Sequence, residues 1–191
     1  CEDLGTVPPE VPAVLERWGI LSSRVMYFER EDDGRFRPAS SYPRLSLTTA
    51  DTHDMATITG FWTARDIELQ RMAGLIESDE HATAAHAHRD DERRFLVERL
   101  VAEGALKSSL AEAPSNAELR GAVHRFLCST PAALVGVYLE DLVGEREPVN
   151  LPGVSADVFR SWTRRLSHSL ESFATDPDVA IAFPDPVRAG R

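Results

Sequence analysis

The stretch Arg44-Leu-Ser-Leu-Thr-Thr-Ala-Asp-Thr-His-Asp54 limits what this chain can fold into more than any other. A short run suited to a strand, with Leu45, Leu47, Thr48 and Thr49, gives way to polar residues just before a helical pattern begins. From Met55 the apolar residues Met55, Ile58, Trp62, Leu69, Met72 and Leu75 recur at helical steps, which predicts one amphipathic helix. Asp51, Thr52, His53 and Asp54 therefore fall in a strand-to-helix loop. Such loops lie at the carboxyl ends of strands, where open α/β sheets and barrels alike bind ligands. The same residues also suit helix capping, because Thr52 or Asp54 can accept from the first free N–H groups of the helix. The spacing leaves both roles open.

The rest of the chain repeats this alternation. Thr6 to Pro12 carries a capping threonine and helix-starting prolines, and Val11, Val14, Leu15 and Trp18 then form a short helix that stops at Gly19. Ser23 to Glu29 suits a strand, Arg30 to Arg37 a charged turn, and Pro38 to Pro43 a loop. Between Glu77 and Gly104 the chain is polar and includes His81, His86 and His88. Three nearby histidines raise a metal site, but no ligand spacing accompanies them, and a solvated helical linker is the better account. Ala117 to Cys128 reads as a further helix. Ala132 to Leu139 is a continuous apolar run, expected to be a strand buried on both faces and ending at Glu140-Asp141. Val149-Asn150-Leu151-Pro152-Gly153 is a shaped loop in which Asn150 serves either as a hydrogen-bonding reader or as a turn former. Trp162, Leu166 and Leu170 mark one stripe of a helix expected over Phe159 to Phe173, and residues 177–191, rich in proline, are expected to be an irregular tail.

Composition narrows the function classes. The chain has 191 residues, enough for one domain with its own core. Its 21 basic and 31 acidic residues leave a net charge of −10, which argues against an electrostatic hold on nucleic acid or on an anionic membrane. Cys1 and Cys128 make neither a disulfide framework nor a zinc cluster, which favours a reducing compartment. No leader or long apolar span stands out, so a soluble cytoplasmic protein is expected. Because Cys1-Glu2-Asp3 starts without a methionine, in what reads as the tail of a strand, a segment of a longer chain is expected.

Strand ends near Glu2, Glu29, Asp54 and Glu140, separated by helices, predict an α/β fold with a parallel sheet or part of a (β/α) barrel. Carboxylates gathered on one rim suit glycosyl transfer, in which an acid protonates the departing oxygen and anions stabilise an oxocarbenium-like centre. Phosphoryl transfer fits less well, since no glycine-rich phosphate loop with a lysine occurs.

Glu2-Asp3-Leu4-Gly5-Thr6-Val7-Pro8-Pro9-Glu10-Val11, Arg24-Val25-Met26-Tyr27-Phe28-Glu29, Thr52-His53-Asp54, Val149-Asn150-Leu151-Pro152-Gly153 and Trp162-Thr163-Arg164-Arg165-Leu166, in that order, resemble the 4-α-glucanotransferases, the amylomaltases of glycoside hydrolase family 77. The resemblance implies the C-terminal part of a (β/α)8 barrel of the α-amylase superfamily over residues 1–176, with a helical insertion at about 77–131. It implies transfer of α-1,4-glucan segments between maltooligosaccharides by a retaining route. Glu2, after the fifth strand, would be the general acid/base. Asp54, after the seventh, would stabilise the transition state, with His53 on the same sugar ring, and Asn150 would line the donor site. No metal and no organic cofactor is implied. The family's nucleophilic aspartate sits upstream in an Arg-x-Asp-His motif that does not occur in these residues, so the implied partner is the missing N-terminal half of the barrel. Met55-Ala56 and Ser161 also depart from the family's usual Leu-Pro and Asn. The alternatives are an α-glucan hydrolase of the same superfamily and a non-catalytic glucan-binding half-barrel.

Overall fold

The computed structural model describes residues 8, 10–107 and 114–183. Glu2 lies outside the described residues, so the geometry below concerns Asp54, His53 and Asn150. Three short strands, β1 (Ser22–Val25), β2 (Ser46–Thr49) and β3 (Leu134–Val135), pair in that order, and both pairings are parallel. Ser22 faces Ser46 and Leu47 faces Leu134. A parallel sheet needs long crossovers: the one from β1 to β2 is loop with two short 3-10 turns, and the one from β2 to β3 is α-helical. α1 (Glu10–Arg17) precedes β1. α2 (Ile58–Thr63), α3 (Arg65–Met72), α4 (Asp79–Ala102) and α5 (Asn116–Ser129) connect β2 to β3. α6 (Leu139–Val143), α7 (Leu170–Phe173) and α8 (Pro177–Ala182) follow.

The central strand buries Ser46 and Thr48 on the helix side. Small hydroxyl side chains are tolerated there because both are satisfied by backbone: Ser46 donates to the Pro43 carbonyl at 2.6 Å and Thr48 to the Arg24 carbonyl at 3.1 Å. Over them lies a core of Met26, Phe36, Ile58, Phe61, Leu96, Leu100, Leu119, Val123, Phe126 and Leu127. Each such side chain contributes about 1.5–3 kcal/mol relative to exposure. The other face stays open, with Leu134 exposed beside Leu47.

Several local expectations change. The helix expected from Met55 starts at Ile58, capped by Thr57, whose hydroxyl accepts from the Gly60 N–H at 2.9 Å. It breaks at Ala64, in the left-handed region at φ 58°, and resumes as α3. The solvated linker is half right. α4 is polar over most of its length, yet Leu96, Val97 and Leu100 enter the core, and Arg89 is buried. The Arg89 guanidinium clasps Asp66 at 2.7 and 2.6 Å and also donates to the Phe61 carbonyl at 2.8 Å. The buried strand expected over Ala132 to Leu139 shrinks to Leu134–Val135, and Glu140-Asp141 lie in α6. The helix expected over Phe159 to Phe173 is mostly irregular loop, and only Leu170–Phe173 is helical. The residues expected to be an irregular tail begin with α8, capped by Asp176 and started by Pro177. α8 docks against α5 so closely that a Cβ on Gly121 would stand 2.3 Å from the Ile181 carbonyl oxygen. Among the described residues, no helix is long and apolar enough to cross a membrane.

The Arg89–Asp66 clasp yields a test of how α4 is anchored. Arg89→Leu strands the Asp66 carboxylate and should destabilise the chain by about 3–5 kcal/mol in urea unfolding, whereas Arg89→Leu with Asp66→Leu should recover most of that loss. A single-variant loss below about 1 kcal/mol, the range of exposed pairs, would show that α4 is held by its leucines alone.

Candidate functional site

The site forms where β2 ends. Thr49, the last residue of the strand, donates from its hydroxyl to the Asp51 carbonyl at 2.8 Å, which starts the turn away from the sheet. The Asp54 N–H then donates to the Thr52 hydroxyl at 3.3 Å, and the Met55 N–H to the Thr52 carbonyl at 3.0 Å. This turn leaves the side chains of His53 and Asp54 exposed. Neither Thr52 nor Asp54 caps the helix, since Thr57 does so.

A second loop, remote in sequence, meets this one. The Asn150 N–H donates to the His53 carbonyl at 3.0 Å, and the Asn150 side-chain amide donates to Asp54 Oδ1 at 2.7 Å. His53 Nε2 stands 3.2 Å from the same Asp54 oxygen. The three candidate residues that lie among the described residues thus come together, with His53 and Asn150 both on the Asp54 carboxylate. Asn150 acts here as more than a turn former. Its two bonds fix the height of the Asp54 loop and the direction of the Asp54 carboxylate.

The Asn150 loop is itself held from behind. Ser161 accepts from the Leu151 N–H at 3.1 Å, the Trp162 N–H donates to the Val149 carbonyl at 3.0 Å, and Arg164 donates to the Glu147 carbonyl at 2.9 Å. The serine at 161 therefore has a structural partner. Trp162 sits at φ 63°, a region that a bulky residue rarely adopts and that costs roughly 1–3 kcal/mol. Its indole is 64% exposed and leans on the His53 ring, centroids 5.1 Å apart. An apolar plate held beside hydrogen-bonding side chains is the combination that grips a sugar ring, whose faces are apolar and whose rim is hydroxylated. In the sequence Trp162 stood out as a member of a supposed helical stripe and of the last family-like motif, but neither marked it as a residue of the site.

Behind the loop the polar residues are buried. Asp51 and Asp141 are 2% and 1% exposed, and their carboxyls lie against each other. Asp141 Oδ1 also accepts from the Ile58 N–H at 2.8 Å. Burial pushes both carboxyls up from the ordinary aspartate range; Asp141 raises Asp51 further, while the Ile58 N–H and Asp51 draw Asp141 part of the way back. Gly60 is required nearby, because a Cβ there would stand 2.6 Å from the Arg146 carbonyl oxygen that leads into the Asn150 loop. Three of the histidines, His81, His86 and His88, are spread over exposed positions of α4, away from this junction.

The strained tryptophan gives a stability test. Asparagine is at ease in the left-handed region, so Trp162→Asn should leave stability within about 1 kcal/mol of the parent or raise it. A loss above about 2 kcal/mol would mean that indole packing, not an exposed role, holds this backbone in place.

Comparison with known proteins bears directly on this geometry. A model of the family described as 4-alpha-glucanotransferase matches residues 1–171. A 4-alpha-glucanotransferase of Haemophilus influenzae is 31% identical over 202 aligned residues, which cover 100% of this chain and 27% of that protein. One of Mycobacterium tuberculosis is 31% identical over 169, covering 84% and 22%. Among solved structures, amylomaltase from Corynebacterium glutamicum superposes with a TM-score of 0.86 at 27% identity, over 100% of this chain and 28% of that one. Amylomaltase from Streptococcus agalactiae in complex with acarbose shares the fold with a TM-score of 0.59 at 18% identity, over 95% and 29%. The chain spans between 22% and 29% of the length of these relatives.

Proposed function

Since the chain belongs to the 4-alpha-glucanotransferase family, we propose that it supplies one side of a retaining α-1,4-glucan transfer site, built from the Thr52–Asp54 and Val149–Gly153 loops. The convergence of His53 and Asn150 on the Asp54 carboxylate is the observation that carries this function. In this account β1, β2 and β3 are the last three strands of a (β/α)8 barrel of the α-amylase superfamily, and about 77–131 is a helical insertion between the final two. The other strands and the nucleophilic aspartate come from sequence outside these 191 residues. The setting is cytoplasmic, and the substrates are maltooligosaccharides.

The chemistry divides among the residues as follows. Glu2, as the acid, gives its proton to the glycosidic oxygen as the bond to the anomeric carbon breaks, and later takes a proton from the incoming hydroxyl. Asp54 accepts hydrogen bonds from ring hydroxyls, and these strengthen as positive charge grows at the anomeric carbon. Asn150 holds Asp54 in direction, so that less reorganisation is needed when that charge appears. His53 donates to the same ring, and the exposed Trp162 indole packs on an apolar sugar face. Transfer rather than hydrolysis requires an acceptor sugar to reach the intermediate before water does.

Replacing the aligned part of the Corynebacterium glutamicum amylomaltase with these residues provides the assembled barrel for a test. On maltotriose the chimera should yield glucose with oligomers longer than maltotriose, whereas glucose and maltose alone would indicate a hydrolase. Asp54→Asn should lower kcat about 100-fold or more with little change in KM. Glu2→Gln should abolish transfer without changing the melting temperature. Equal losses in kcat and affinity at Asp54, or near-normal turnover at Glu2, would overturn the assigned roles.

A further inference from the structure

The buried Asp51–Asp141 pair has no part in the chemistry above, yet it lies directly beneath the loop that does. Asp51 is two residues before His53 and three before Asp54, and its carboxyl is sealed from solvent against Asp141 of α6. Two carboxylates are acceptors only, and they cannot hydrogen-bond to each other without a proton between them. The other groups present do not relieve them. Among the described residues Asp51 Oδ1 and Asp141 Oδ2 are buried without a hydrogen-bond partner, and the donors that reach the pair are backbone: the Ile58 N–H on Asp141 Oδ1 and the N–H of Asp51 on its own carboxyl.

The surroundings favour retention of a proton. The Tyr27 hydroxyl is buried beside the pair, and burial, together with Asp51 and Asp141, pushes it far above its ordinary value, so it stays neutral. Glu140, next to Asp141 on α6, adds negative charge. Arg120 of α5 is the facing cation and favours the ionised form, and the Arg89–Asp66 clasp lies beyond Tyr27. Burial outweighs Arg120, and both carboxyls are raised.

We propose that Asp51 and Asp141 hold a proton between their carboxyls, and that this proton fixes the Thr52–Asp54 loop to α6 and to the start of α2. While the proton is held, His53 and Asp54 meet Asn150. When it leaves to solvent, two buried like charges push β2's end away from α6, and the junction loosens. Asp51 and Asp141 are thus positioning residues that act through the loop. This inference stands on the packing of the pair and does not depend on the glucan-transfer function.

The sign of the pH effect follows from proton counting. An unfolded chain ionises both aspartates near the ordinary value of 3.8, whereas burial holds the titration of the folded pair above it. Stability contributed by the pair is therefore complete below that value and is lost as pH rises through the folded titration. Each pH unit lowers the folding equilibrium constant about tenfold per retained proton.

The test uses the 191-residue chain. Asp51→Asn puts an amide donor where the proton was, so it should fold, should be at least as stable as the parent at pH 9, and should remove the fall in stability between pH 7 and 9. Asp51→Ala leaves Asp141 without that donor and should be at least tenfold less stable in its folding constant at both pH values. Asp141→Asn, which keeps a carbonyl for the Ile58 N–H and offers its amide to Asp51, should behave as Asp51→Asn does. In the parent, hydrogen-exchange protection of the Asn150 amide should drop about tenfold from pH 7 to 9, and in Asp51→Asn it should not. The inference is overturned if the asparagine variants keep the parental pH dependence, fail to fold, or lose as much stability as Asp51→Ala. It is equally overturned if Asn150 protection follows the same course in parent and variant.

Discussion

The parallel pairing of Ser46–Thr49 with a strand on each side is the constraint from which the rest of the structure follows. A four-residue strand has little pairing of its own to offer, and parallel strands occur where helices bury them. Here the helices between β2 and β3 build the core over the strand's inner face. The strand's carboxyl end is then fixed in space, and whatever follows Thr49 must emerge at the same rim as the ends of β1 and β3. The loop bearing His53 and Asp54 is exposed for that reason.

That loop does not hold itself. From the front, Asn150 binds both the His53 carbonyl and the Asp54 carboxylate. From behind, Asp141 takes the Ile58 N–H and Thr57 donates to the Glu145 carbonyl at 2.6 Å, so α6 and the segment after it are tied to the start of α2. The segment after β3 thus supports the loop after β2 on two sides. A carboxylate steered in this way by neutral donors is suited to tightening its hydrogen bonds as charge develops on a bound group, which is the demand that glycosyl transfer makes.

Much of this was legible in the sequence, for identifiable reasons. β2, its polar loop and α5 followed their patterns, and α5 has the Ser115–Glu118 capping box that its start requires. Asp54 and Thr57 are equally good caps on paper. The structure uses Thr57 because the Asp54 carboxylate is engaged by Asn150 and His53, a contact between residues 96 positions apart that no local pattern reveals. The stripe Trp162, Leu166, Leu170 imitated a helix. In the fold, Trp162 takes the left-handed conformation and sends its N–H to Val149, so the backbone bonds of that segment go to another loop rather than to the preceding turn. The apolar run Ala132 to Leu139 gave no sign of where pairing would stop. It stops after Val135, and α6 begins at Leu139 with Tyr138 at its N-cap. Asp51 and Asp141 were visible only as polar residues at strand ends, since burial of one against the other is a property of the packed chain.

The account rests on one claim, that the two loops and the Trp162 indole form a single glucan-binding face. A crystal structure of the assembled barrel, with these residues in the Corynebacterium glutamicum scaffold and acarbose bound, tests it most directly. The account predicts one sugar ring hydrogen-bonded by both Asp54 and His53, with the Trp162 ring in van der Waals contact at about 4 Å. A ligand seated elsewhere, or bound in that barrel with Asp54 and His53 turned away from it, would contradict it.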